Sequence, residues 1–426
     1  MVSIVMTSYN KPDTVGEAIQ SVLDQTYTNW ELFIMDDASN AKTQKVIEKY
    51  LEDPRIRFYN SYVKDEERYK KTRYAVLINK ALPLTQGKYI SYLTDDNFYL
   101  RNRLEVMVDY FWEHSDIDIV YSAQRVKNVD TELDIVSEFI RKTNGILTKA
   151  SNLVDHCSVM HTRSIAEKIY RKYGSYWDED AKYWHNGDAA FWKRLNEWEP
   201  FYPIDKVLDV CLKNEVSFQK LNIHLPDHLP DGILVTGVDT DIYFIDRQKR
   251  RKIDHNMLRK LKLDRRKIIR IHNPLLFKYR EGPPINETIY TDVSLFPNLL
   301  LVKDTHTRAV YYIQDQKKRL IKNEATLNKF HFNMKEIIHC DRDFLNQWQD
   351  GEPITDRITD KVLLPDRILF NKRDKYYLSC NNHLHPIEKR IVGRLGFSYN
   401  QAVSITNEQI SFFEQGKPYV WEVALF

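Results

Sequence analysis

At 426 residues the chain is too long for one ordinary domain and is sized for two or three. Apolar residues at 42%, charged residues at 29% and only 12 Gly and 15 Pro exclude collagen, low-complexity disorder and an integral membrane protein. The net charge of +3 excludes nothing about partners, whereas 26 Tyr and 8 Trp point to surfaces that stack on rings or sugars.

The first half alternates strand and helix. Val2–Met6 is an apolar run ending in the polar turn Thr7-Ser8-Tyr9-Asn10. Val15, Ala18, Ile19, Val22 and Leu23 follow at helical spacing, and Pro12 suits the first turn of that helix. Leu32–Met35 is the next strand and ends in Asp36-Asp37. A polar helix is predicted over 42–52, a strand at Ile56–Tyr59 and a helix at Thr72–Leu82. The strand Lys88–Leu93 then ends in Thr94-Asp95-Asp96-Asn97, ahead of a helix at Tyr99–Phe111. This rhythm predicts a mostly parallel sheet covered by helices. Ligands bind beyond the carboxyl ends of such strands, where three of the polar clusters fall.

Residues 1–225 hold 30 Lys and Arg against 34 Asp and Glu, while residues 226–426 hold 33 against 26. The sign changes beside Pro226-Asp227-His228-Leu229-Pro230-Asp231-Gly232, a linker signal, so the domain boundary is placed between 225 and 226. Beyond it, a pattern recurs three times, over approximately 231–285, 297–354 and 365–419. Each copy carries an apolar run, a tyrosine-rich run and a closing glycine: Gly282, Gly351 and Gly416. The first two copies also hold a basic run, Lys249–Lys252 and Lys317–Arg319, that the third lacks. Each copy reads as two short strands joined by a turn, then one or two short helices, with the basic run in the turn. A repeated surface turn argues against a nucleic-acid binder. An electrostatic role toward an acidic polysaccharide or a coat protein stays open.

The candidate chemistry lies in the first half. Adjacent carboxylates at Asp95-Asp96 repel each other, and a divalent cation removes that cost; hard oxygen ligands suit Mg²⁺ or Mn²⁺. The plain alternative is that Asp96 or Asn97 caps the following helix. Asp36-Asp37 could accept hydrogen bonds from a ribose or a base, or could form a turn and helix cap. Neither G-x-G-x-x-G nor G-x-x-x-x-G-K-[ST] occurs, which disfavours dinucleotide and P-loop sites. The basic segment Arg68–Arg73 could meet a phosphate or base, or be a solvated face. His156 and Cys157 suggest thiol chemistry less readily than a satisfied core histidine. Asp188 could be a general base, or the N-cap of the amphipathic segment Ala189–Trp198. Tyr176, Trp177, Tyr183 and Trp184 could wall a sugar site or be ordinary core. The cysteines 157, 211, 340 and 380 are far apart, so neither a disulfide framework nor structural zinc is expected. The N-terminal stretch has no basic leader, so a cytoplasmic location is expected.

Several stretches, in order along the first 220 or so residues, resemble an inverting family 2 glycosyltransferase of the GT-A fold. They include Val2–Asn10, Ser21–Tyr27, Trp30–Asp37, Lys71–Ala75, Thr94–Asn97, Asp155–His161 and Gly174–Glu179. The likeness is to the spore-coat polysaccharide branch of bacilli, and a longer relative there, a spore maturation glycosyltransferase, matches the overall length. The resemblance implies a Rossmann-like mixed α/β sheet, to which a C-terminal α+β domain of three tandem repeats is added. It implies that Thr7, Asp37 and Arg68 hold the nucleoside, and that Asp95 and Asp96 lie at the diphosphate and metal, with Asp96 the direct ligand. Asp188 matches the catalytic base, and Glu179 the acceptor side. The usual Asp-x-Asp signature is here Asp-Asp-Asn.

The expected activity is transfer of a sugar from a nucleoside-diphosphate donor, UDP- or dTDP-linked, to a hydroxyl of a glycan or protein acceptor. The expected setting is the mother-cell cytoplasm or the spore surface, in coat or crust polysaccharide synthesis. Spore coat proteins, or a second copy bound through the repeats, are the expected partners; nucleic acid and a membrane span are not. The alternative is an inactive, transferase-like adaptor that docks on the spore surface through its repeats.

Overall fold

A computed structural model describes residues 1–214, 221, 223–237 and 240–421. The chain divides into two compact units, Met1–Ser217 and Phe218–Leu425. No helix among the described residues is long and apolar enough to cross a membrane.

The N-terminal unit is built on one nine-stranded mixed sheet of order β3-β2-β1-β4-β8-β6-β9-β5, with β7 paired to β6. Its parallel half comprises β1 (Val2–Ser8), β2 (Trp30–Asp36), β3 (Ile56–Asn60) and β4 (Tyr89–Thr94). Near-continuous apolar runs in β1 and β2 suit strands covered on both faces. Successive side chains point to opposite faces. Accordingly Ile4 and Met6 join one core with Ile34, Leu104 and Met107, and Val5 joins the other with Phe33, Leu77, Trp177 and Trp192. Helices α1 (Val15–Leu23), α2 (Ala41–Glu48) and α3 (Arg73–Ala81) link the parallel strands. The sheet then turns mixed: β8 (Val159–Thr162) runs antiparallel to β4, β6 (Ile119–Val129) antiparallel to β8, and β9 (Tyr202–Lys213) parallel to β6. Strand β7 (Ile135–Arg141) forms a hairpin with β6. Helices α4 (Arg103–Glu113), α5 (Arg163–Tyr173) and α6 (Gly187–Leu195) complete the unit. This mixed α/β sheet is the GT-A-like architecture expected.

Two local expectations are corrected. The segment after Asp96 is not helical: Asn97–Tyr99 is strand β5, antiparallel to β9. Helix α4 begins only at Arg103, with Asn102 at its cap, so Asp96 and Asn97 cap nothing. The cause is burial. Phe98 and Tyr99 fill the core, and the fully buried Arg103 lies 3.9 Å from the Tyr99 ring while donating to Ser91 Oγ and the Cys157 carbonyl. Helix α1 starts after Pro12, with Thr14 as its cap.

Among the described residues, the C-terminal unit contains three sheets with one plan. Each has a three-stranded antiparallel meander: Leu234–Thr236, Ile242–Asp246 and Lys249–Lys252; Leu301–Asp304, Val310–Gln314 and Lys317–Ile321; Leu369–Lys372, Lys375–Cys380 and His383–Ile387. Its second hairpin turns on two residues of positive φ, Arg247-Gln248, Asp315-Gln316 and Asn381-Asn382, as two-residue hairpin loops require. The basic runs are therefore strands and not surface turns. Arg251 and Arg319 are 1% exposed. Arg251 donates to Asp246 Oδ2 (2.6 Å) and to the carbonyls of Pro283 and Leu295, and Arg319 donates to Gln314 Oε1 (2.7 Å) and to the carbonyls of Glu352 and Leu363. Each arginine thus ties its own sheet to the chain leading into the next. In the third sheet His385 stands at that position, its ring 2.9 Å from the Lys417 carbonyl. The closing glycines permit this crossing, because a Cβ on Gly282, Gly351 or Gly416 would fall within 3 Å of Arg251, Arg319 or His385.

Candidate active site

The carboxyl ends of β1, β2 and β4 bring the sequence-predicted residues to one edge. Asp37 follows β2, and its amide donates to the Ser8 carbonyl at the end of β1 (2.9 Å). Its carboxylate is 4% exposed and fully engaged. Arg68 Nη1 donates to Oδ2 (2.6 Å), Arg73 Nη2 to Oδ1 (2.8 Å), Arg73 Nε to both oxygens (3.2 Å) and Ser61 Oγ to Oδ1 (3.0 Å). The Arg68 guanidinium, 3% exposed, also packs on the Tyr9 ring, 4.1 Å from its centroid. Asp37 therefore fixes two buried arginines, and Arg73 enters the site through that role.

Tyr9 joins this corner to the acidic pair. Its amide donates to Asp95 Oδ2 (2.7 Å). Asp95 is buried, and desolvation together with the neighbouring Asp96 pushes its carboxyl up to about 7, against the pull of Lys11 and the Tyr9 amide. Asp96 is more open: Thr94 Oγ1 donates to Oδ1 (2.9 Å), and Lys11 Nζ lies 3.2 Å from Oδ2. Burial pulls Lys11 down, but Asp96 and Asp95 outweigh it and leave its ammonium above the ordinary range. Thr7 sits in β1 between Met35 of β2 and Thr94 of β4.

Asp188 lies in the first turn of α6 and not at its cap, which is Asn186. Its Oδ1 accepts from the Ala189 amide (2.8 Å), and its Oδ2 accepts no hydrogen bond among the described residues. Burial raises its carboxyl, opposed by His156 and Lys213 and reinforced by Asp155. Tyr74 of α3 sets the start of α6, accepting from the Gly187 amide (2.8 Å) and donating to the Tyr183 carbonyl (3.0 Å). Asp155 stands 3.9 Å from Lys213 and 3.6 Å from Arg141. Burial pushes its carboxyl up, but His156, Lys213 and Arg141 hold it at about 2. Lys213 is within electrostatic reach of Asp96 as well. Direct contacts thus join Asp37, Arg68, Tyr9 and Asp95, and electrostatic interactions extend the set through Asp96, Lys213 and Asp155 to Asp188. Glu179 borders it: Lys71 Nζ contacts Oε2 (2.7 Å) and Asn79 donates to Oε1 (3.0 Å). Burial raises the Glu179 carboxyl, yet these two partners leave it net lowered.

Other candidates resolve differently. Trp177 is core, stacked on Phe191 with centroids 4.9 Å apart, and Tyr176 is buried beside it, so neither walls a sugar site. His156 is half-buried next to Asp155, and the core histidine is His161, bonded to Tyr92 Oη (2.8 Å) and to the Thr162 carbonyl. Cys157 is buried with its thiol pushed well above the ordinary range, which excludes a resting thiolate. Donor atoms of Asp155, His156 and Cys157 lie within 4.8 Å of one another. That trio suits a cation poorly, because Lys213 and Arg141 already neutralise Asp155. Lys11, Tyr74, Arg141 and Lys213 carried no signal of their own in the sequence. Only the topology, which ends β9 at Lys213 beside the end of β4, brings them in.

Residues 3–175 match the family described as Glycosyl transferase family 2. The chain is 41% identical to Protein CgeD of Bacillus subtilis (strain 168), over 98% of this chain and 95% of that protein. It is 30% identical to the uncharacterized glycosyltransferase MJ1057 of Methanocaldococcus jannaschii, over 51% of this chain and 71% of that protein. The chain belongs to glycosyl transferase family 2. A further relative is the UDP-Glc:alpha-D-GlcNAc-diphosphoundecaprenol beta-1,3-glucosyltransferase WfgD of Escherichia coli. It is 34% identical over 33% of this chain and 51% of that protein. The family 2 match spans β1 through the acidic pair and on past Asp155. Asp188 lies outside it.

Proposed function

We propose that this glycosyltransferase moves a sugar from a nucleoside-diphosphate donor, UDP- or dTDP-linked, to an acceptor hydroxyl with inversion, in spore coat or crust polysaccharide synthesis. The single observation that supports the reading is the set of bonded and electrostatically interacting groups that runs from Asp37 through the Asp95-Asp96 pair to Asp188. The domain plan that goes with it is a GT-A domain over 1–225 and a three-repeat domain over 226–426.

The nucleoside sits at Thr7, Tyr9 and Arg68, with Asp37 holding Arg68 and Arg73 in place. Asp188 Oδ2 takes the proton of the acceptor hydroxyl as that oxygen bonds to the anomeric carbon. The bond from that carbon to the diphosphate breaks at the same time, and the diphosphate leaves with the electron pair. One displacement from the opposite face inverts the centre. A buried carboxylate with a raised pKa is the stronger base for this step. Lys11 and Lys213 supply positive charge near the departing group, and positioning with charge stabilisation does the rest. Glu179, held by Lys71 and Asn79, borders the acceptor side.

Mg²⁺ or Mn²⁺ fits the donor set. Asp95 and Asp96 offer hard oxygens, and burial together with the neighbouring Asp96 pushes the Asp95 carboxyl up to about 7 against the pull of Lys11. Asp96 would be the direct ligand, and a bound cation would offset charge on the diphosphate.

Thermal shift with UDP, dTDP and GDP, each with and without Mn²⁺, tests this reading. A nucleotide at a hundred times its dissociation constant adds about 2.7 kcal/mol to the stability of the unit that binds it. UDP or dTDP should raise the melting temperature more with Mn²⁺ than without, and Asp96→Ala should erase the difference. No shift with any nucleotide would defeat the proposal.

A further inference from the structure

The three sheets of the C-terminal unit close into a ring. One hydrophobic cluster joins the first to the second through Leu234, Phe244, Val302 and Ile313. Another joins the second to the third through Leu301, Tyr312, Phe370 and Leu384. A third joins the third back to the first through Leu378, Ile391, Val235 and Ile245. At the centre is a cavity of about 150 Å³, to which every sheet contributes the same two stretches. The first stretch precedes the opening strand and has positive φ at Gly232, Leu299 and Arg367. The second follows the first helix and has positive φ at Lys262, His331 and Gly396. A cavity of about 150 Å³ holds one six-membered ring, as benzene in an apolar protein cavity illustrates. This one is not apolar: Asn333, Ser398 and Gln401 line it together with Phe332 and Phe397.

The charges on the lining are unequal in state. Lys267 is paired with Glu336 (2.7 Å), and Asp264 with Arg266 (2.8 Å). Arg367 is half-buried, its guanidinium carbon is 6.0 Å from the Phe397 ring, and it has no carboxylate partner among the described residues. Lys262, an exposed residue at the cavity lining, has none among the described residues either, so neither cation has a carboxylate counter-charge. At each matching place one sister sheet has glycine, Gly232 or Gly396, and the other has Leu299 or His331. Neither cation is needed for the backbone bend it occupies.

We propose that this axial cavity binds a hexuronate residue of an acidic glycan. The sugar ring sits among the phenylalanines, its hydroxyls meet the polar side chains, and its carboxylate pairs with Arg367 and Lys262. Carboxylate recognition by a guanidinium fork suits the first pairing.

The test is calorimetry on the full chain with glucuronate- and galacturonate-containing trisaccharides and their neutral glucose and galactose counterparts. Arg367→Gly and Lys262→Gly each install the residue that one sister sheet already carries in the same left-handed bend, so both should fold with an unchanged melting temperature. The acidic trisaccharides should bind. Affinity should fall at least about tenfold for each variant, the effect of losing one charge-assisted hydrogen bond. Asp188→Asn should bind them as the wild type does, which separates this site from the transferase site. The proposal is overturned if neither acidic trisaccharide binds in the millimolar range. It is equally overturned if the neutral sugars bind as well, if both glycine variants bind like the wild type, or if Asp188→Asn abolishes binding.

Discussion

Replacing Asp37 with asparagine keeps the shape of the side chain and removes its charge. In the folded protein that charge stands between Arg68, 3% exposed, and Arg73, 9% exposed, and is itself 4% exposed. The amide oxygen can still accept from Ser61, but two guanidinium groups lose their buried counter-ion. Among the described residues, the carboxylate still paired directly with either arginine is the exposed Asp65, 3.1 Å from Arg68 Nε. Breaking a buried pair from one side costs about 3–5 kcal/mol. Removing the Ser61 hydroxyl instead should cost about 1 kcal/mol. Hydrogen exchange on the amides of β1 and β2 reports the N-terminal unit without assuming that both units unfold together. Protection there should fall about a hundredfold or more in Asp37→Asn, at 1.4 kcal/mol per decade. UDP affinity should fall with it, because Arg68 loses the anchor that holds it on Tyr9. A loss of less than about tenfold in protection, with UDP affinity intact, would show that the arginines do not depend on Asp37 and refute the reasoning.

Asp95 sets a pH dependence. Its folded-state carboxyl is pushed up from 3.8 to about 7, so the folded chain keeps a proton that the unfolded chain releases. The stability it contributes is present below pH 3.8 and is lost as pH rises toward 7. Denaturant titrations across that window should show wild type losing stability relative to Asp95→Asn as pH rises; parallel curves would reject the assignment. Tyr74→Phe removes the hydroxyl that bridges Gly187 and Tyr183 at the start of α6. Stability should drop by about 1 kcal/mol. Transfer should fall further than that, with donor affinity unchanged, since Asp188 moves and the nucleoside corner does not. Equal transfer by both proteins would remove Tyr74 from its positioning role.

Much of the N-terminal unit was legible because its strands are buried runs and its helices keep regular apolar spacing. The polar clusters at the strand ends stood out for the same reason, since a buried run that stops at Asp-Asp has a visible edge. What stayed hidden depends on pairing between distant segments. Nothing local distinguishes Asn97–Tyr99 from the start of a helix until β9 offers Val210 as its partner. Lys213 looks like any strand-end lysine until the crossover sets it near Asp155 and Asp96. In the C-terminal half the threefold pattern was readable, but Arg251 and Arg319 were not. A basic run reads as solvated surface, and only the carbonyls of Pro283, Leu295, Glu352 and Leu363 make burial of those charges tolerable.

In the proposed reaction Asp188 receives the acceptor proton, near the carboxylates of Asp37, Asp95 and Asp96. The most direct measurement is parallel donor binding and sugar transfer by Asp188→Asn, with the donor nucleotide identified by thermal shift. Donor affinity should remain within about twofold while transfer falls by about 10²–10⁴, the span attributed to a positioned general base. Transfer within a few fold of wild type would contradict the account.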